Sequence, residues 1–569
     1  MIRKNKIFIK NKKQLSIDKT QGRLMLLSAA FFILYSVAAA RLFDLSVLQG
    51  VVIDEAQAYT VSALEKEAVK RGDIIDRNGV ILARSLDVPS LYADPKMIME
   101  PKATAKELAK IFPELSYGAV LKDLQGGGRF AWVKRNVEPA DQLKIIELGR
   151  PGLSFKTESK RIYPQGNLTA HMVGVSGVDG QGLSGIEGGL DNILSKDSDA
   201  LETTIDIRVQ HILKREMNKT INLHEAKGGA GVIMDVNSGE IIAAVSLPDF
   251  SPIGFSANKN NNVFNRATLG VYEMGSTFKI FTTAALLEKN SKSFGKKYDT
   301  REPIKIGRFR IRDYHPEKRD LTVAEIFIHS SNIGTALMAQ EMGTDYLKSF
   351  YKNLGLLGKP NFEINEIGSP LIPSPWGEVH TMTASYGHGI AVSALQLVKA
   401  SAAIINGGYI VEPTLIKSTQ QKSKRINVLS AETSHRMRQL LRLNVSEGTG
   451  SKADVAGYLV GGKTGTAEKP GSGGYNRNKL ISSFLGFFPM DAPQYAVFIM
   501  IDEPKGVGET YGYATGGWVG APTVSRVIAS MVSVLGMKPS KDDKSFGDNL
   551  MKYVKTKEQI KKERKIATH

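Results

Sequence analysis

The sequence predicts an α+β protein: a single N-terminal transmembrane helix, an elongated mixed stem domain, and a larger C-terminal domain with an antiparallel sheet covered by helices. Three observations predict it. An uncharged run of seventeen residues, LMLLSAAFFILYSVAAA at 24–40, follows a basic N-terminus. Two signals of paired strands, at 228–245 and 482–502, bracket the C-terminal half, each with apolar runs either side of a turn. Helical stretches lie between them at 276–288, 322–341, 393–406 and 431–445. The expected organisation is a basic cytoplasmic tail at 1–23, an anchor helix at 24–48 and a stem at 49–224, then the large domain at 225–537 and a Lys-rich flexible tail at 538–569.

The formal net charge of +18 sits mostly at the ends, with a net +7 in residues 1–23 and +5 in 538–569. No aromatic-interleaved basic patch accompanies it, so no nucleic-acid partner is expected. Attraction to anionic lipid headgroups fits both tails. The run at 24–40 is near the lower limit for crossing a bilayer; Arg41 can snorkel, and the apolar stretch 42–48 extends it. The basic residues before it predict a cytoplasmic N-terminus and an exported remainder, by the positive-inside rule. A cleaved signal peptide is the competing reading, with Ala38-Ala39-Ala40 as its small-residue site. The helical pattern continues past those alanines, which favours an uncleaved, single-pass anchor.

Cysteine is absent, which excludes a disulfide framework and thiol chemistry. Nine scattered histidines without an H-E-x-x-H pattern argue against a metal site. In the stem, Asp76-Arg77-Asn78-Gly79 between apolar runs reads as a hairpin turn, and 103–111 as helix. The glycine-dense stretch GVSGVDGQGLSGIEGG at 174–189 lacks phosphate-loop spacing and reads as a flexible connection ending in a helix at 186–194.

The chemistry lies in three short motifs. Ser276-Thr277-Phe278-Lys279 places a hydroxyl and an amine on one face of a helix start, because residues three apart are neighbours there. Buried, the lysine loses its proton more readily and can activate the serine. Ser330-Ser331-Asn332 and Lys463-Thr464-Gly465-Thr466 follow in order. Ser276 is the candidate nucleophile, Lys279 its general base, Ser330 a proton relay and Asn332 an orienting amide. Lys463 supplies positive charge that keeps Lys279 neutral. Thr464, Gly465 and Thr466 bind substrate, with hydroxyls for a carboxylate and a glycine that lets the substrate backbone approach. The backbone N–H groups of Ser276 and Thr466 form the expected oxyanion hole. Taken singly, each motif has a plain structural reading: a helix cap, a solvated lysine, a strand end. Their joint, ordered occurrence is what carries the functional one. His329, beside Ser330, lacks an evident acid partner and reads as structural.

Together the motifs resemble the active site shared by penicillin-binding proteins and serine β-lactamases. Across residues 20–535 the chain resembles class B penicillin-binding proteins, and within them the division-specific branch of Gram-negative bacteria. Further stretches carry the likeness: Arg71-Gly72, Arg161-Ile162-Tyr163-Pro164, Gly182-Leu183-Ser184-Gly185-Ile186-Glu187, Asn265-Arg266, Glu447-Gly448-Thr449-Gly450 and Ser482-Ser483-Phe484-Leu485-Gly486. The resemblance implies a serine D,D-transpeptidase attacking the D-Ala-D-Ala end of a peptidoglycan stem peptide, with an amine acceptor and β-lactams as acylating inhibitors. It implies no cofactor. It also implies a SEDS-type glycosyltransferase and other divisome membrane proteins as partners, and an inner-membrane location with the catalytic domain periplasmic. Two departures stand out: Met274 where many relatives have proline, and Leu190-Asp191-Asn192-Ile193-Leu194 where many carry a glycine-containing motif. The alternatives are an elongation-specific relative, an enzyme that resolves the ester with water (β-lactamase or carboxypeptidase), and a non-catalytic penicillin sensor or division scaffold.

Overall fold

A computed structural model describes residues 12–43, 70–196, 199–255, 261–307, 309–417, 425–471, 474–539, 546–555 and 559. The chain divides into two units, Met1–Val69 and Lys70–His569. In the first, one continuous helix, α1 (Lys12–Phe43), contains the uncharged run and exposes Met25, Phe31, Phe32 and Leu34. Among the described residues no helix is long and apolar enough to cross a membrane. Residues 1–11 of the basic tail and 44–69, with the end of the expected anchor and the start of the expected stem, lie outside the described residues.

The second unit begins with the stem. Its mixed sheet joins β1 (Ile74–Ile75), β2 (Ile81–Ala93), β3 (Ala131–Lys134), β4 (Leu153–Ile162) and β5 (Leu201–Glu202). The Asp76 carboxylate shapes the first turn by accepting from the N–H groups of Asn78 and Val80, each at 2.8 Å. Helices α2 (Pro101–Ile111), α3 (Tyr117–Leu124) and α4 (Pro139–Glu147) close a small core around Leu91, Leu108, Val120 and Ile145.

The glycine-dense stretch is not a flexible connection. A Cβ at Gly174 would lie 1.8 Å from Ser184 O, and one at Gly182 1.8 Å from Glu187 O, so these glycines are required by packing. The helix expected at 186–194 is two short turns, Gly185–Gly189 and Asp191–Leu194. The first delivers the buried Glu187 between two arginines: Arg71 bonds it, and Arg161 Nε donates to it at 2.7 Å. Arg71 also reaches Asp191 at 2.6 Å.

The last helix of the expected stem belongs in packing terms with the large domain. Helix α5 (Ile207–Leu223), capped by Asp206 accepting from Arg208 N at 3.0 Å, packs on the large domain's sheet. That domain continues through β6 (Gly228–Asp235), β7 (Ile241–Leu247), α6 (Lys279–Lys289), α7 (Val323–Ile328), α8 (Asn332–Met342), α9 (Ala394–Ile405) and α10 (Ala431–Ser446). It ends with β8 (Gly461–Gly471), β9 (Gly474–Phe488), β10 (Tyr495–Asp502) and α11 (Gly520–Val534). The strands pair antiparallel in the order β8-β9-β10-β6-β7. Successive residues of a strand point to opposite faces, and both faces are covered. Val232, Leu485, Phe498 and Met500 meet the layer containing α6, α9 and α10, while Ile233, Phe484, Val497 and Ile499 meet α5 and α11. This explains why β10 is buried at all its positions and reads as a continuous apolar run. β8 is left as an edge strand beside the start of α6.

Two further expectations change. The helix expected at 322–341 breaks into α7 and α8, and the break holds Ser330. The C-terminal tail is not wholly free: Asp548–Tyr553 forms a 3-10 turn with Leu550 buried, and Thr322 Oγ1 donates to Tyr553 O at 2.7 Å. Leu550 and Tyr553 supply the apolar contacts that a reading of net charge overlooks.

Candidate active site

The first motif starts as a 3-10 turn, Gly275–Phe278, and passes directly into α6. Side chains three apart eclipse in such a turn, which stacks Ser276 over Lys279. Gly275 adopts φ +53°, and a Cβ there would come 2.6 Å from Thr466 O, so only glycine lets this turn lie against β8. Thr277 Oγ1 locks the turn by donating to Met274 O at 2.9 Å. Ser276 is half-buried and Lys279 fully buried.

The second motif occupies the break between α7 and α8. A capping box between Thr322 and Glu325 starts α7, and Ser331 caps α8 by accepting from Gly334 N at 2.9 Å. Ser330 is caught between them at φ +58°, a left-handed conformation costly for a residue with a Cβ. That conformation brings both its oxygens to Lys279, whose Nζ lies 2.6 Å from Ser330 O and 3.0 Å from Ser330 Oγ. The same Nζ donates to Asn332 Oδ1 at 2.7 Å. Asn332 is held in that orientation because its Nδ2 donates to Arg312 O at 3.0 Å.

The third motif lies on β8. Lys463 Nζ, fully buried, also donates to Ser330 Oγ, at 3.0 Å. Thr464 Oγ1 is 3.0 Å from Thr449 Oγ1, which brings in the Glu447-Gly448-Thr449-Gly450 stretch. Thr466 Oγ1 accepts from Gly516 N at 3.0 Å. At Gly465 a Cβ would meet Ser483 Oγ at 2.4 Å and Met274 O at 2.8 Å. The side of Gly465 that a Cβ would occupy therefore faces protein, and the glycine is required by packing of β8 on the Ser276 turn rather than by open room for a ligand.

The structure brings the three motifs together where the Gly275–Phe278 turn, the α7–α8 break and β8 meet, with one difference from the expected contacts. Among the described residues Lys279 Nζ bonds Ser330 and Asn332 and not Ser276. Burial pushes the Lys279 amine well below its ordinary pKa, and the neighbouring Lys463 pushes it further, against a weaker opposing pull from Asp313. Burial alone brings Lys463 down to about 7. A neutral Lys279 has two hydrogens, enough for Ser330 O and Asn332 Oδ1, and keeps a lone pair for a proton. Burial also lowers the His329 imidazole, with Glu317 opposing.

Sequence reasoning missed Asp313. Its Oδ1 accepts from the N–H groups of Asn332 at 2.6 Å and Ile333 at 3.0 Å, and its Oδ2 accepts from Ser331 Oγ at 2.7 Å. It stands just past a small ribbon (Ile304–Ile306 with Phe309–Ile311) and belongs to no motif. Among the described residues no cluster of three or more His, Asp or Glu side chains is arranged to hold a metal.

Two buried lysines sharing a serine hydroxyl, at the edge of a helix-covered antiparallel sheet carried on a mixed stem, define the penicillin-binding class of proteins. The chain belongs to the penicillin-binding protein transpeptidase family: residues 229–529 match the penicillin binding protein transpeptidase domain, and residues 66–206 the penicillin-binding protein dimerisation domain. It is 38% identical over 484 residues to the probable peptidoglycan D,D-transpeptidase FtsI of Caulobacter vibrioides, covering 82% of each chain. Against the peptidoglycan D,D-transpeptidase FtsI of Escherichia coli K12 the identity is 29% over 515 residues, 84% of this chain and 85% of the other. The fold superposes on penicillin binding protein 3 of Mycobacterium tuberculosis in complex with ampicillin with a TM-score of 0.67 at 23% identity, covering 84% of this chain and 98% of that one.

Proposed function

We propose that this chain is a serine D,D-transpeptidase that cross-links peptidoglycan stem peptides in septal wall synthesis. The observation that carries the reading is the convergence of Lys279 and Lys463 on Ser330 Oγ, one turn from the half-buried Ser276. Neutral Lys279 takes the proton of Ser276 Oγ as the oxygen attacks the carbonyl between the two D-Ala residues of the donor. The N–H groups of Ser276 and Thr466 stabilise the oxyanion. The proton passes through Ser330 to the leaving D-Ala amine as the C–N bond breaks, leaving an ester on Ser276. Lys463, Thr464 and Thr466 hold the donor's terminal carboxylate. An amine from a second stem peptide then attacks the ester, gives up its proton by the reverse route, and frees Ser276. A β-lactam acylates the same oxygen.

The basic N-terminus and the exposed apolar side chains of α1 support an inner-membrane anchor with the catalytic domain outside the cytoplasm. In that setting the anchor and stem are the surfaces offered to a SEDS-type glycosyltransferase and other division proteins. Labelling with a fluorescent penicillin tests the chemistry. A stable adduct at Ser276 is expected; rapid release of label means that water, and not an amine, resolves the ester. Depletion in cells tests the role: filaments support division, round cells overturn it.

A further inference from the structure

Glu273 lies three residues before Ser276, and its carboxylate is tied into two other parts of the cleft. Oε1 accepts from the Tyr475 phenol at 2.7 Å and from the Gly389 N–H at 2.9 Å, and Oε2 lies 3.4 Å from His388 Nδ1. The rings of His388 and Tyr475 are 4.3 Å apart, and Tyr386 stacks on His388 with a centroid separation of 6.1 Å. Tyr475 begins β9, the strand paired with β8, which carries Lys463 and Thr466. The loop holding His388 also touches the nucleophile's turn: Gly275 N donates to Gly387 O at 3.3 Å, and a Cβ at 387 would lie 2.2 Å from Gly275 O. The Ser276 turn is therefore wedged between the 386–389 loop on one side and β8 on the other. Glu273 bonds to the loop and to the hairpin at once.

We propose that Glu273 is a positioning residue, a brace that holds the β8–β9 hairpin and the 386–389 loop against the turn bearing Ser276. The side-chain oxygen Oε1 has two lone pairs and accepts from both segments at once, so one side chain suffices to join them. Burial, reinforced by the Glu273 carboxylate, raises the Tyr475 phenol above its ordinary pKa, so it remains a donor. The Glu273 side chain is only 15% exposed and both its oxygens face protein groups, which suits a brace better than a ligand contact. An attacking oxygen displaced by about an ångström costs up to about a hundredfold in rate, so a loosened turn is read directly in acylation.

The inference rests on Ser276 as the nucleophile. The test uses the full chain in detergent and a fluorescent penicillin under saturation, which separates the initial binding constant from the acylation step. Glu273→Ala is expected to slow the acylation step about tenfold or more with binding of the penicillin nearly unchanged. Glu273→Gln, which still accepts from Tyr475 and Gly389, is expected to stay within about threefold of the parent. Tyr475→Phe should lose part of the rate, and Glu273→Ala with Tyr475→Phe should be no worse than Glu273→Ala alone, since both remove one link. Acylation within twofold of the parent in Glu273→Ala, equal loss in Glu273→Gln, or additive losses in the double variant would each overturn the brace. If Glu273→Ala does not fold, Tyr475→Phe decides alone: an unchanged acylation step overturns the proposal. Failure of the functional reading is told apart by Ser276→Ala, which would then still take up label.

Discussion

Lys279 and Lys463 share one hydroxyl, each placing its Nζ 3.0 Å from Ser330 Oγ. Two fully buried amines so close cannot both hold a proton cheaply. The pair therefore carries a pH dependence that can be worked out in sign. Lys279 accepts a proton only as the neutral amine, so acylation rises with pH through its lowered pKa. Lys463 is one cause of that lowering. Lys463→Ala should raise the Lys279 pKa and move the acid limb of the rate–pH profile to higher pH. Penicillin acylation rates measured from pH 5 to 9 in both proteins check this; an unmoved limb breaks the electrostatic link.

Ser276 is half-buried, and among the described residues its hydroxyl makes no hydrogen bond that a replacement would remove. Ser276→Ala should therefore cut covalent penicillin labelling by at least about 10⁴-fold. Its unfolding free energy should stay within about 0.5 kcal/mol of the parent. Gel fluorescence and a denaturant titration separate the two effects.

Asp313 caps α8 and holds the Ser331–Asn332 backbone that presents Oδ1 to Lys279. Asp313→Ala should cost about 1–2 kcal/mol, as for lost helix caps. It should also slow acylation about tenfold or more by loosening Asn332. Asp313→Asn keeps an acceptor for the helix N–H groups and should recover most of the stability. Full activity in Asp313→Ala would show that Asn332 holds its place without it.

Glu187 is 0% exposed between Arg71 and Arg161. Glu187→Ala strands two guanidinium groups and should destabilise the stem-containing unit by about 3–5 kcal/mol. Urea unfolding followed by tryptophan fluorescence reads the loss. A change below about 1 kcal/mol would mean that Asp191 and solvent compensate.

Gly465→Ala puts a methyl 2.4 Å from Ser483 Oγ and 2.8 Å from Met274 O. Strand β8 must then move off the Ser276 turn, at a cost of about 1–3 kcal/mol for overpacking. Acylation should fall with it. Retained acylation with retained stability would show that the turn shifts freely.

Much of this is legible in the sequence. The strand pair at 482–502 reads from two apolar runs, and they form β9 and β10. The Asn-Ser-Gly turn at 237–239 reads as a hairpin and joins β6 to β7. The glycines at 174–189 misled, because composition does not tell a loose chain from one so crowded that only glycine fits. Asp313 and Glu273 carry no sequence signal of their own, since each acts through neighbours distant in sequence and matches no spacing rule.

By itself the sequence determined the chemical groups and the local geometry: a serine and a lysine three residues apart share a face because the helical turn makes them do so. Only the tertiary structure decided that Ser330, 51 residues from Lys279 and 133 from Lys463, would be the point at which they meet. Contacts at those separations depend on how α7, α8 and β8 pack, on the left-handed backbone at Ser330, and on the carboxylate of Asp313. No periodicity encodes such contacts, because their energy comes from burying side chains that the chain brings together only once it has folded.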